Sequence, residues 1–133
     1  MRVLAVDYGS RRIGLAIGDT NLKIATPIET LEHRGDILER VVNIVKERHV
    51  SLILVGLPLT PSGKEGQRAK EVRGFVEALR NLLPEDIDII FWDERYTTEE
   101  ALRLVHGLKI SKKKKLKDSL SAYIILTEYL ESL

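Results

Sequence analysis

The 133-residue chain contains no cysteine and only three histidines. Without cysteine it can form neither a disulfide nor a zinc–thiolate site, and so few histidines make a polyhistidine metal centre a poor candidate. The sequence has no apolar run near the ~20 residues that span a bilayer, and its first residues lack the pattern of a signal peptide. We therefore expect a cytoplasmic protein with no membrane partner, whose chemistry uses carboxylates, hydroxyls or lysines.

Aromatic residues are also scarce, at 5% of the chain. This low fraction argues against an extended platform on which the bases of a single strand would stack. Hydrophobic residues make up 44% and charged residues 31%, the balance of a soluble domain that can bury a core. We predict a single domain over residues 1–133.

The net charge of +1 conceals an uneven distribution. Residues 109–117 hold six lysines and no acid, whereas segments 1–108 and 118–133 are both mildly acidic. A concentrated cationic segment favours a polyanion, and nucleic acid is the leading candidate. A solvated lysine loop is the alternative that composition leaves open. The candidate substrate-binding residues of this segment are Lys112, Lys113, Lys114 and Lys115.

Hydrophobic patterning predicts alternating strands and helices. Strands are predicted over 2–7, 13–18, 23–30, 51–57 and 87–92, and helices over 36–48, 67–83, 99–106 and 116–133. Short turns join the first three strands, which favours an antiparallel meander, and helices precede the last two, which favours parallel crossovers. The expected fold is α/β: a five-stranded mixed sheet, with a three-stranded meander plus two parallel strands and helices on both faces.

Acidic residues follow two of the predicted strands. Asp7 ends the first strand, Asp93 and Glu94 end the fifth, and Asp118 begins the last helix. Ligands gather at the carboxyl ends of strands in open α/β sheets, so these acids are expected at one end of the sheet. Converging carboxylates repel each other unless they hold protons or divalent cations, and oxygen ligands suit Mg²⁺ or Mn²⁺. Two such ions are the usual apparatus for displacement at phosphorus.

Each acid also has a plainer interpretation. Asp7 could only shape the turn that follows it, and Asp118 could be a helix N-cap. Asp93 or Glu94 could be solvated at the strand end or paired with Arg95. The expected placement of all these acids at one end of the sheet is what favours a metal-binding catalytic site.

Four motifs occur in order along the chain: D-Y-G-S-R-R-I-G at 7–14, V-G-L-P-L at 55–59, D-E-R-Y-T-T at 93–98 and K-D-S-L-S-A at 117–122. Through them the chain resembles, over essentially its whole length, the YqgF/RuvX family of Holliday-junction resolvases and pre-16S rRNA nucleases. The resemblance implies a ribonuclease H-like fold and a catalytic, metal-binding triad of Asp7, Glu94 and Asp118. Asp93 replaces Glu94 if the strand register differs by one residue.

Other residues of these motifs are expected to contact substrate. A glycine after Asp7 would let backbone and substrate approach closely. The loop over 56–66 would present polar groups to phosphate before a helix begins, although a flexible surface loop is the alternative. The candidates are Gly9, Arg11, Arg12, Thr60, Lys64, Arg68 and Arg95.

The favoured function is a metal-dependent endonuclease that acts on structured nucleic acid, with 5′-end processing of pre-16S rRNA in ribosome biogenesis as its role. The alternatives are a Holliday-junction resolvase in DNA recombination and repair, or a non-catalytic nucleic-acid-binding adaptor. The D-x-G motif also resembles the phosphate loop of actin-like ATPases and sugar kinases. Those enzymes close two such domains over a nucleotide. Because this chain is long enough for only one domain, we expect no nucleotide cofactor. The sequence marks no self-complementary surface, and we expect a monomer or a weak homodimer.

Overall fold

The computed structural model describes residues 1–94 and 119–133. In these residues it has five strands and three helices: β1 (Arg2–Tyr8), β2 (Arg12–Asp19), β3 (Ile24–Glu32), α1 (Ile37–Glu47), β4 (Val50–Leu57), α2 (Gln67–Leu82), β5 (Asp88–Asp93) and α3 (Leu120–Glu131). Each was predicted, and the ends that can be compared differ by at most two residues. The predicted helix over 99–106 and the predicted start of the last helix at 116 lie outside the described residues.

The five strands form one sheet in the order β3-β2-β1-β4-β5. The first three strands are an antiparallel meander, whereas β4 runs parallel to β1 and β5 runs parallel to β4. Pro27 lies on the edge strand β3. An edge strand tolerates proline, because no strand on its outer side needs the missing N–H as a hydrogen-bond donor. The predicted five-stranded mixed sheet is confirmed. Its carboxyl end is the end at which β1, β3, β4 and β5 finish and β2 begins.

Helices cover both faces of the sheet, as predicted. Side chains alternate along each strand, so Leu4 and Val6 of β1 join the core that includes α1 and α2. Val3 and Ala5 of the same strand join the core that includes α3. The continuous apolar run of β4 is explained by this arrangement, because a central strand buries side chains on both faces.

Helix α3 is anchored near both of its ends. At its beginning the buried Ser119 donates a hydrogen bond from Oγ to the carbonyl oxygen of Ile28, at 3.0 Å. Near its other end Glu128 Oε2 accepts a hydrogen bond from Trp92 Nε1, at 2.9 Å. The rings of Trp92 and Tyr129 also meet edge to face, with centroids 5.8 Å apart. In residues 1–94 and 119–133 no helix is long and apolar enough to span a membrane.

Candidate active site

Asp7 and Glu94 lie on the same face of the sheet, at its carboxyl end. On β1, Ala5 faces α3, so strand alternation places Asp7 on that face as well. On β5, Trp92 faces α3, and Glu94 follows two residues later. The backbone N–H of Glu94 donates to the carbonyl oxygen of Leu57, at 3.3 Å. This hydrogen bond continues the pairing of β5 with β4, so Glu94 faces α3, as Asp7 does.

Strand β4 lies between the two acid-bearing strands, so Glu94 must cross it to reach Asp7. The crossing occurs at Gly56, which pairs with Trp92. A Cβ atom built on Gly56 would lie 2.5 Å from Glu94 Cδ and 2.9 Å from Glu94 Cγ, much closer than non-bonded carbon atoms pack. The absence of a side chain at position 56 therefore leaves the space that the Glu94 carboxyl group occupies.

The Glu94 carboxyl group is mostly buried, with its Oε1 atom shielded from solvent, and it lies close enough to Asp7 for the two acids to interact. Burial raises the pKa of Glu94, and the neighbouring Asp7, chiefly through its negative charge, raises it further. Arg68 lowers this pKa and Asp93 raises it slightly, with a resulting value of about 8. A pKa raised this far by burial and by a neighbouring acid is found at many functional sites.

Asp93 has a different position from Glu94. It is the last residue of β5, and strand alternation directs it to the face opposite Glu94. Its charge acts on Glu94, but Glu94 is the acid whose side chain the structure brings to Asp7. Between the two acids that the sequence left open, the geometry favours Glu94 as the partner of Asp7.

The pair of carboxylates fits a divalent cation. Asp7 and Glu94 supply the oxygen donors that Mg²⁺ and Mn²⁺ prefer, and a cation would remove the repulsion that raises the pKa of Glu94. In the part of the chain that the structure describes, no group of three His, Asp or Glu side chains converges. Asp118, predicted as the third ligand, lies outside that part.

The turn between β1 and β2 is held through its carbonyl groups. The N–H of Gly9 donates to the carbonyl oxygen of Arg12, at 3.0 Å, and a Cβ on Gly9 would lie 2.5 Å from that oxygen. The carbonyl oxygen of Gly9 accepts from His33 Nε2, at 2.7 Å. The turn that follows Asp7 is therefore as tight as predicted, and only glycine fits its first position without a shift.

Arg68, in the first turn of α2, is hydrogen-bonded to the residue that follows Asp7. Its Nη2 donates to the carbonyl oxygen of Tyr8, at 2.9 Å, and its Nη1 lies 3.7 Å from Glu71 Oε2. Its positive charge reaches Glu94, whose pKa it lowers. The structure thus holds this predicted substrate-binding arginine at the carboxyl end of β1, within electrostatic reach of Glu94.

Thr60 and Lys64 lie in a loop that is closed by its own hydrogen bonds. The N–H of Thr60 donates to the carbonyl oxygen of Lys64, at 2.8 Å, and the N–H of Lys64 donates to Thr60 Oγ1, at 3.1 Å. Leu59 and Glu65 form a β-bridge across the loop, and Glu65 accepts from Arg73 Nη2, at 2.8 Å. This loop is a hydrogen-bonded turn, in which the Thr60 hydroxyl has a structural role.

The remaining predicted substrate-binding residues divide into two groups. Arg11 and Arg12 are exposed at the carboxyl end of the sheet. The other predicted contacts, Arg95, Lys112, Lys113, Lys114 and Lys115, lie outside residues 1–94 and 119–133.

Sequence reasoning missed two residues of this site. Gly56 does carry a signal, because a glycine inside an otherwise apolar buried strand often marks a close approach of another group. His33 carries none, since it is 24 residues from Gly9 in the chain and only the pairing of the meander brings them together.

The chain matches a protein-family model described as "RuvX: Holliday junction resolvase" over residues 1–132. A relative from Sulfurihydrogenibium sp. (strain YO3AOP1) is 42% identical over 132 residues, which cover 99% of this chain and 91% of the relative. A relative from Acetivibrio thermocellus is 40% identical over 137 residues, which cover 99% of this chain and 96% of the relative. Both relatives are named "Putative pre-16S rRNA nuclease".

Solved structures share the fold. RuvC of T. thermophilus, in complex with a Holliday junction substrate, gives a TM-score of 0.64 at 18% identity and covers 99% of this chain and 94% of that one. The fowlpox virus resolvase, in complex with Holliday junction DNA, gives a TM-score of 0.64 at 13% identity and covers 99% of this chain and 98% of that one. At such identities the likeness concerns the fold, and it confirms the predicted ribonuclease H-like architecture.

Proposed function

This chain belongs to the RuvX family, and we propose that it is a nuclease that hydrolyses phosphodiester bonds in structured nucleic acid. Its catalytic acids are Asp7, Glu94 and Asp118. The observation that carries this proposal is the placement of the buried Glu94 side chain over Gly56, where it interacts with Asp7. Processing of the 5′ end of pre-16S rRNA in the cytoplasm is the favoured role, because relatives about 40% identical over nearly the whole chain bear that name.

The acids are proposed to hold Mg²⁺ or Mn²⁺. When bound, a pair of such cations activates water and stabilises the leaving oxygen in a displacement at phosphorus. The chain's own residues fix the positions of the ligands: β1 holds Asp7, and the space over Gly56 holds Glu94. Asp118 is supported by its place in the sequence directly before Ser119, the buried N-cap residue of the helix that covers this face.

Basic residues around the acids are proposed to bind phosphate groups of the substrate. Arg68 is the best supported, because it combines a fixed position at the carbonyl oxygen of Tyr8, within electrostatic reach of Glu94, with a planar cation that suits phosphate. Such contacts position the nucleic acid and carry no sequence information. The other proposed substrate contacts are Gly9, Arg11, Arg12, Thr60, Lys64, Arg95, Lys112, Lys113, Lys114 and Lys115.

The direct test is cleavage of an end-labelled RNA that contains the 5′ end of 16S rRNA and its precursor extension, with Mg²⁺ or Mn²⁺ added. We expect Asp7→Asn and Glu94→Gln each to lower the cleavage rate by at least ~100-fold, the effect of losing metal-assisted stabilisation worth several kcal/mol. The matched control is Asp88→Asn, which removes an exposed carboxylate at the other end of β5 and is expected to keep the rate.

A four-way DNA junction is tested beside the RNA, because the family description names Holliday junctions. Cleavage of the junction and not of the RNA would replace rRNA processing by junction resolution. Tight binding of both substrates without cleavage of either, in both metals, would overturn the nuclease proposal. The chain would then be a nucleic-acid-binding adaptor.

A further inference from the structure

A groove of about 390 Å³ lies at the carboxyl end of the sheet, and the sequence assigned it no role as a groove. Its lining residues are Arg12, Thr30, Glu32, Arg34 and Arg40. Of these only Arg12 belongs to the motifs considered above. The residues come from the start of β2, the end of β3, the segment that follows β3 and the first turn of α1.

The groove lies at the same end of the sheet as the acid pair. Strand pairing sets Arg12 opposite Glu32 and Asp7 opposite Gly14. Strands β1, β2 and β3 are consecutive in the sheet, so the β3 side of the groove lies two inter-strand spacings from β1, roughly 10 Å. Since a nucleic-acid strand rises ~3.4 Å per nucleotide, this distance corresponds to about three nucleotides.

The charge of the groove favours an anion. Three arginines and one glutamate line it. Glu32 Oε2 accepts from Arg34 Nη2 at 3.2 Å, but the two side chains are 57% and 66% exposed. An exposed ion pair of this kind contributes little to stability, so Arg34 can exchange Glu32 for a phosphate at small cost. Arginines outnumber acids among the described lining residues.

We propose that this arginine groove binds the phosphate backbone of the substrate about three nucleotides from the bond that is cut. The inference rests on the proposed nuclease function, and it extends the substrate contact beyond the acid pair. Arginine suits this task because its planar fork can bind two phosphate oxygens at once. None of the described lining residues is aromatic, so the groove contacts backbone rather than bases.

The test is the salt dependence of binding. A fluorescent RNA hairpin with single-stranded extensions is titrated with protein in EDTA, which prevents cleavage, from 50 to 300 mM KCl. For Arg34→Gln/Arg40→Gln we expect binding at least ~10-fold weaker than that of the wild type. We also expect the slope of log K against log[KCl] to be shallower, by about 1.4 if the lost contacts are to single-stranded RNA or about 1.8 if they are to duplex. The single variant Arg34→Gln is expected to show about half of the change in slope.

The matched control is Arg48→Gln/Arg80→Gln, which removes the same charge from the opposite end of the sheet, where α1 and α2 finish. It is expected to keep the affinity within about twofold and the slope within ~0.3. Wild-type affinity and slope in Arg34→Gln/Arg40→Gln, or an equal loss in the control, would overturn the inference. Thermal unfolding followed by circular dichroism verifies that all variants fold.

The groove and the nuclease activity can fail separately. If wild-type protein cleaves RNA and Arg34→Gln/Arg40→Gln binds it normally, the proposal that the groove binds substrate is wrong and the nuclease proposal is retained. If no protein cleaves but the double variant alone loses affinity and slope, the groove is a nucleic-acid-binding surface and the nuclease proposal is wrong.

Discussion

The side chain of Glu94 extends over Gly56 of β4 and thereby reaches Asp7 on β1, two strands away from β5. The glycine has no reactive group, yet the meeting of the two acids depends on it. Any side chain at this position of β4 would occupy the space of the Glu94 carboxyl group. The candidate active site is therefore built from three strands, and the middle strand contributes a residue that has no side chain, Gly56.

Gly56→Ala is expected to displace Glu94 and inactivate the enzyme. The added methyl group would overlap the end of the Glu94 side chain, with Cδ only 2.5 Å away, so the flexible glutamate moves and the strand does not. Because a displacement of ~1 Å at a catalytic group can cost 100-fold, we expect the cleavage rate to fall by ~10- to 100-fold with little change in unfolding free energy. Cleavage assays and urea unfolding measure the two effects.

Gly74→Ala is the control for this substitution. Gly74 lies in α2, and a Cβ built on it meets nothing within 4 Å. Alanine is favoured over glycine inside a helix by roughly 0.5–1 kcal/mol. We expect wild-type activity and slightly higher stability. Full activity in Gly56→Ala would contradict the proposed role of the gap.

Glu94 is expected to make the metal-free protein less stable as pH rises. Its pKa is raised from an ordinary value of 4.5 to about 8 in the folded chain, chiefly by burial and by Asp7. Between these two values the folded state holds a proton that the unfolded state has lost, so the unfolding free energy decreases as pH increases through the interval. Urea midpoints in EDTA at pH 5, 6.5 and 8 measure this decrease.

Glu94→Gln removes the titrating group and keeps the size of the side chain. We expect its urea midpoint to fall less than that of the wild-type protein over the same pH range, so the two curves diverge towards pH 8. Asp88→Asn, a remote and exposed acid, is expected to follow the wild-type curve. Parallel curves for Glu94→Gln and the wild type would contradict the burial of Glu94 beside Asp7.

Divalent cations are expected to stabilise the folded protein most strongly at pH 8, where Glu94 can lose its proton. A ligand that binds only the folded state at 100 times its Kd adds about 2.7 kcal/mol. We therefore expect Mn²⁺ to raise the Tm of the wild type, and Asp7→Asn or Glu94→Gln to abolish most of the rise. Differential scanning calorimetry measures it, and an equal rise in all three proteins would indicate binding elsewhere.

Ser119→Ala is expected to weaken the attachment of α3. Ser119 is fully buried, and its hydroxyl donates to the carbonyl oxygen of Ile28. Its loss removes a part-buried hydrogen bond, which costs about 1 kcal/mol. Ser132→Ala, at the exposed end of the helix, is expected to change the unfolding free energy by less than ~0.5 kcal/mol. Equal effects in urea unfolding would contradict this anchor.

Much of the fold could be predicted because local patterns and connection lengths determine it. The apolar run of β4 indicated a buried parallel strand, and Pro27 indicated an edge strand. The position of Asp7 at the end of β1 followed from the alternating pattern before it. These features depend on residues that are close in the chain, so the sequence alone carries them.

The finer arrangement of the site could not be predicted, because it depends on the order of strands and the path of one side chain. Only the placement of β4 between β1 and β5 gives Gly56 its role. Only the pairing of β3 with β2 brings His33 to the turn at Gly9, and the same pairing sets Arg12 opposite Glu32. Contacts between residues so far apart in the sequence leave no periodic trace in it.

The most direct test of the metal-binding acid pair is anomalous X-ray scattering from a crystal of the wild-type protein soaked in Mn²⁺. We predict an anomalous peak at bonding distance, roughly 2.1 Å, from carboxylate oxygens of both Asp7 and Glu94. A well-ordered map in which Glu94 turns away from Gly56 and no manganese lies at these two acids would contradict the account.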